Sequence, residues 1–335
     1  GDIGNSDQPI LKNPKYTQDA DYVVMEATYG DRYHEKHPDY VYELSKIIQE
    51  TLDRGGNLVI PSFAVGRTQE LLYYIRQIKE EKLVTGHGNF PVYVDSPMAI
   101  EATTIFNKNV AECFDEEAMG LIMQGINPLT FEGLKLSVTS EESKEINFDK
   151  QPKVIISASG MCEAGRIRHH LKHNLWKPTS TILFVGYQAI NTLGRALIEG
   201  TKEVKLFGET IQVSAKILRL EGMSGHADKA GLVKWITSFE QKPKVVFVVH
   251  GEDTVCDIFA ETLEKEYGLC AYAPYSGAEY DLIAGRWIRE GERIPVPKAE
   301  KAGKKAPSGV YARLLAAGQR LMTVIKHNEG GANKD

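Results

Sequence analysis

"PKVVFVVHGEDTVCDIFAETLEKEYG", Pro243–Gly268, passes from an apolar run through a polar turn into a helix-forming segment. The valine-rich run reads as a buried strand, "HGE" as its turn and residues 254–268 as a helix. Strand, turn and helix in succession are the building unit of α/β architecture. The same theme recurs after Ile60, Val94 and Ile156. Chemistry in open α/β sheets gathers at the C-terminal ends of the strands. His250 stands at such an end, and Gly251 behind it lets the backbone turn tightly. A loop-capping histidine explains that position as well as a metal ligand does.

Outward from this unit, Tyr22–Met25 reads as a buried strand ending in Glu26. Residues 40–54 carry Val41, Leu44, Ile47, Ile48 and Leu52 at helical spacing. "GGNLVIPSFAVGRTQELLYYIRQIKEE" (residues 55–81) reads as strand, turn and helix, and "FPVYVDSPMAI" (90–100) as strand and turn. Residues 152–175 and 180–200 repeat the strand, Gly-rich turn, helix order. "GETIQVSAKILRLEG" (208–222) reads as a hairpin arm or paired strands. Residues 293–307, with their basic and proline-rich composition, read as a linker, and 310–327 as an amphipathic helix that docks a partner or a dimer mate or, equally well, packs on its own domain.

The chain has 335 residues, 42% hydrophobic and 25% charged, with a net charge of −5. That composition belongs to a globular protein of one or two domains. No apolar run reaches transmembrane length, and residues 1–8 lack a signal-peptide pattern. The expectation is a cytoplasmic protein without a membrane partner. Four scattered cysteines form no CxxC pair, which argues against a zinc ribbon or a disulfide framework. The negative balance disfavours binding nucleic acid by charge alone.

Several residue types can carry chemistry. His226 sits in "SGHAD", before a helix that Ser224 or Asp228 can cap. An imidazole there is a capping accident or a general acid or base. Glu26 at the end of a buried strand needs a partner, and a histidine would supply it. Asp2, between glycines, can reach a cation. Three turns pair small residues with an arginine: Ser62 to Gly66, Arg67 and Thr68; Ser157, Ser159, Gly160 and Met161 to Arg166; and Thr192, Gly194 and Arg195. Each alone is also ordinary turn chemistry, but together, and with Ser224, they read as contacts for a polyanionic substrate. "HHLKH" spaces His169 and His173 for a metal but lacks an acidic partner, and "HEKHPD" (34–39) is interrupted by Pro38.

"GDIG" (1–4), "VVMEATYGD" (23–31), "PSFAVGRTQE" (61–70), "DSPMA" (95–99), "SASGMCEAGR" (157–166), "GYQAINTLGR" (186–195), "SGHAD" (224–228) and "VVHGED" (248–253) follow one another in that order. Together they resemble the β-CASP branch of the metallo-β-lactamase superfamily, which includes the endonuclease of pre-mRNA 3′-end processing and prokaryotic ribonucleases. The resemblance covers residues 1 to about 295. It implies an α/β fold in which a partial metallo-β-lactamase αββα sandwich carries an inserted α/β domain. Residues 1–30 and 224–295 would be core, 31–223 the β-CASP insertion, and 296–335 a basic linker and C-terminal helix.

By the same resemblance Asp2 bridges two zinc ions, and His250 binds the second. Glu26 pairs with His226, which protonates the leaving oxygen. A histidine at 250 goes with RNA-cleaving members, so single-stranded RNA is the implied substrate. The family's H-x-H-x-D-H signature is absent, and no H-x-H pair occurs in the chain. The chain is therefore expected to be a C-terminal fragment, inactive and aggregation-prone alone. The competing expectations are a non-catalytic RNA-binding subunit and a small-molecule hydrolase.

Overall fold

The computed structural model describes residues 1–34, 38–220 and 222–294. The linker and helix expected at 296–335, and the homodimer contact attached to that helix, lie outside them.

The first compact unit, Gly1–Pro274, carries two parallel sheets. In chain order it begins with β1 (Tyr22–Glu26), α1 (Tyr40–Asp53), β2 (Leu58–Pro61), α2 (Arg67–Glu80) and β3 (Val92–Val94). It continues with α3 (Pro97–Lys108), α4 (Val110–Cys113), α5 (Glu116–Met123), β4 (Leu134–Leu136), α6 (Ser140–Phe148) and β5 (Val154–Ser157). Next come α7 (Ile167–Asn174), β6 (Thr181–Phe184), α8 (Leu193–Ile198), β7 (Glu203–Leu206), β8 (Glu209–Gln212) and β9 (Lys216–Arg219). The last are α9 (Lys229–Ile236), β10 (Val245–Val249), α10 (Asp253–Tyr267) and β11 (Ala271–Tyr272). The larger sheet has the order β4-β3-β5-β2-β6-β9 and the smaller β1-β10-β11. Every strand pair in both is parallel.

The apolar strand runs follow from burial on both faces, which removes the need for alternation. In the larger sheet Leu58, Ile60, Val92, Val94, Val154 and Ile156 pack on one side with α1 and α2. Val59, Ile155, Ile182 and Phe184 pack on the other with Ile167 and Leu171 of α7 and Leu197 of α8. In the smaller sheet Val23, Met25, Val246 and Val248 meet Leu232, Ile236, Phe259 and Leu263 of α9 and α10, and on the other face the central β10 still buries Val245 and Phe247. Val24 points the other way and is 54% exposed.

Two local readings change. "KILR" does not pair with the preceding strand; it becomes β9 and runs parallel to β6 at the sheet's edge. The hairpin is instead β7 with β8, turned by Phe207 and Gly208, both at positive φ. Residues 101–150, whose sequence carries no clear strand or helix pattern, form the rest of α3, then α4, α5, β4 and α6. The described part of the second unit is an antiparallel pair, β12 (Glu279–Asp281) and β13 (Arg286–Arg289). Among the described residues no helix is long and apolar enough to cross a membrane.

Candidate active site

Parallel pairing of β1 with β10 sets Glu26 opposite Val249, so Glu26 and His250 emerge together at one end of the small sheet. His250 takes a left-handed conformation with φ 52°. Gly251 follows because a Cβ there would stand 2.9 Å from the Ala27 carbonyl oxygen. Residues 1–5 then thread between this strand end and the "SGHAD" turn. Ala227 N–H donates to the Ile3 carbonyl and Asn5 N–H to the Gly225 carbonyl, and Gly4 bridges His226. This threading places Asp2 against His250, with Oδ1 3.1 Å from Nδ1.

Glu26 is fully buried. Its Oε1 accepts the Ile3 N–H at 2.6 Å, and its Oε2 accepts the Thr28 hydroxyl. His226 Nδ1 lies 2.8 Å from the same Oε2, a close carboxylate–imidazole contact. Burial pushes the Glu26 carboxyl up, but the His226, Thr28 and Ile3 donors outweigh it and the net shift is downward. The Glu26 carboxylate raises the His226 pKa, against the pull of partial burial. Thr28 and Ile3 carry no chemical signal in the sequence, since one is a common turn residue and the other acts through its backbone.

The His226 and His250 rings lie 5.6 Å apart. One ligand atom from each of Asp2, His226 and His250 falls within 4.8 Å of the others. Ligands on one tetrahedral zinc stand roughly 3.3 Å apart, given bonds of about 2.0–2.1 Å. The Asp2–His250 spacing already matches this, and a carboxylate with two imidazoles is a donor set that suits zinc. A buried carboxylate behind an imidazole is also the usual outer support of a metal-ligating histidine. The residues therefore fit a metal, with His226 close enough to be a ligand as well as Asp2 and His250.

The arginine turns look different. Arg67 is 9% exposed, and its guanidinium is taken by Glu70 and the Met223 carbonyl. Arg166 is committed to Asp95 and the Ser137 and Val138 carbonyls, and Arg195 to Glu199. Thr68 donates to Ser62 and the Phe63 carbonyl, Ser157 to the Asp95 carbonyl and Ser159 to the Ala164 carbonyl. Thr192 caps α8, and Gly160 and Gly194 pack around Gln188. A cleft of about 910 Å³ opens over His226 and His250. Of the residues expected at those turns and at Ser224, only Gly66, Arg67, Met161 and Ser224 line it. Its wall is instead set by Phe63, Val65, Tyr187 and Arg32. The sequence weighed arginines as anion ligands, whereas here they hold turns in place. His169 and His173 form no metal cluster among the described residues; His169 stacks on Phe207 and His173 meets Phe148 edge-on.

Parallel α/β sheets with a carboxylate–imidazole cluster at their strand ends define the class, an α/β protein built around a candidate metal centre. Residues 68–197 match the family model described as the Beta-Casp domain. Residues 210–274 match the one described as a Zn-dependent metallo-hydrolase RNA specificity domain. The chain belongs to the β-CASP branch of the metallo-β-lactamase family. It is similar to ribonuclease TTHA0252 of Thermus thermophilus, with 37% identity over 88% of this chain and 63% of that protein. It is 34% identical to the transcription termination factor FttA of Methanocaldococcus jannaschii over 75% of this chain and 40% of the factor. An RNase J-like protein of the same archaeon is 32% identical over 83% of this chain and 63% of its own length. The chain thus spans less than two thirds of each of these relatives.

Proposed function

We propose that this chain supplies the substrate-binding part and half of the metal centre of a zinc-dependent ribonuclease acting on single-stranded RNA. The observation that carries the reading is the buried Glu26 carboxylate 2.8 Å from His226, beside the Asp2–His250 pair. Glu26 fixes the His226 ring and favours its protonated form, which suits it to donate a proton to the departing 3′-oxygen. Asp2 and His250 would hold metal. When bound, metal supplies Lewis-acid polarisation of the phosphate and an acidified water. RNA would lie in the cleft, with bases stacked on Phe63 and Tyr187, which are 47% and 46% exposed. Gly66, Met161 and Ser224 remain candidate substrate contacts.

In this reading residues 1–30 and 224–295 are core and 31–223 the β-CASP insertion. A two-ion centre needs more ligands than Asp2, His226 and His250 provide. The 335 residues alone are accordingly proposed to be inactive, the further ligands coming from outside them. A cytoplasmic location rests on the cysteines, none of which is in a disulfide.

A second reading makes His226 a ligand rather than the proton donor, favoured by its place within the 4.8 Å cluster. Substitution separates the two. As proton donor, His226→Ala keeps metal and loses roughly 10²–10⁴-fold in cleavage rate. As ligand, it loses metal along with activity. Full cleavage by His226→Ala with metal bound would sink both.

A further inference from the structure

We propose that His34, from the "HEKHPD" stretch that carried no assignment in the sequence, is the positioning residue that aims His226. The inference rests on reading His226 as the working imidazole of the site. Three hydrogen bonds tie the segment Tyr29–His34 to the "SGHAD" turn. His34 Nε2 lies 2.9 Å from the His226 carbonyl oxygen. A carbonyl only accepts, so Nε2 carries the hydrogen and Nδ1 is left free of that role. The His34 backbone N–H donates to Asp228 Oδ2 at 3.0 Å. The Lys229 N–H returns a bond to the Arg32 carbonyl at 3.0 Å. Asp228 in turn caps α9 by accepting the Gly231 N–H, so the strap and the helix start share one carboxylate.

The strap is itself fixed. The His34 ring meets Tyr29 edge-on at 4.7 Å. Gly30 lies so near α10 that a Cβ would stand 2.7 Å from Phe259 Cβ. Glu26 holds the far side of the imidazole through Nδ1. The ring is therefore located from two directions, by Glu26 at the side chain and by His34 at the residue's own carbonyl. Without His34, that carbonyl loses a directional partner, and the backbone of His226 is held from the side of residues 3–5 alone. Misplacement of a catalytic group by about 1 Å costs about a hundredfold in rate, so a bond remote from the chemistry has functional weight.

The test needs neither metal nor activity. Amide exchange of residues 225–229 and the 15N signals of the His226 ring are measured in the full, metal-free chain, with melting temperature as the control. His34→Ala is expected to speed local exchange about fivefold, the worth of one net hydrogen bond. It is also expected to move the His226 ring signals toward those of an imidazole without a carboxylate neighbour. His34→Gln, whose amide can donate to the same carbonyl, restores both, and the melting temperature changes little in either variant. Unchanged exchange and ring signals in His34→Ala would overturn the proposal. So would a large fall in melting temperature that His34→Gln does not repair, since that marks a purely structural role. Because no RNA is cleaved in the test, its outcome is independent of whether the ribonuclease reading holds.

Discussion

At the residue scale, Asp95 is an acid held from several sides outside the candidate site. It is fully buried and takes Arg166 on Oδ1 at 2.7 Å, and His170 and Ser143 on Oδ2 at 2.6 Å each. Burial pushes its carboxyl up, but the His170 and Ser143 donors prevail and hold it at about 2. A depressed acid stabilises the fold above its unfolded value near 4, and this is lost as pH falls through the folded value. The contribution is about 2 kcal/mol at neutral pH. Asp95→Asn should therefore melt well below the parent at pH 7, and the gap should narrow between pH 4 and pH 2. A gap of constant size across that range would contradict this. His170 went unread because "HHLKH" draws the eye to the i, i+4 pair. The middle histidine is the one that α7 turns toward β3, a direction that only the sheet order discloses.

At the scale of elements, strands were legible because a parallel strand covered on both faces is an unbroken apolar run. The order of those strands was not, since any of several parallel arrangements buries the same runs. Close approaches explain particular glycines. A Cβ on Gly56 would stand 1.9 Å from the Thr179 carbonyl oxygen, where the chain entering β2 passes the one entering β6. Gly56→Ala should cost about 1–3 kcal/mol, read as a fall in denaturation midpoint with unchanged slope. An unchanged midpoint would mean the two segments separate freely. The site's Glu26, His226, His250 and Asp2 were legible through the family's ordered motifs. Their supports were not, because Thr28, His34 and the Ile3 amide act through contacts that the β1–β10 register creates. The turn arginines are ambiguous for the converse reason: a guanidinium before a helix suits an anion and a carbonyl equally well.

At the scale of the whole molecule, the metal centre decides what the chain can do. Asp2 and His250 are two ligands, and even with His226 added a two-ion centre is left short. The purified 335-residue chain should bind fewer than two zinc ions and leave single-stranded RNA intact, as read by metal analysis and gel assay. Zinc-dependent cleavage by it would overturn that reading. The most direct test of the central claim is a single-turnover RNA cleavage assay, paired with zinc content, on His226→Ala and His250→Ala in the longest form of the protein. His250→Ala is expected to lose both zinc and cleavage, while His226→Ala keeps its zinc and falls roughly 10²–10⁴-fold in rate. Equal zinc loss in the two variants would contradict the division of labour between them, and undiminished cleavage by His226→Ala would contradict its part in the chemistry.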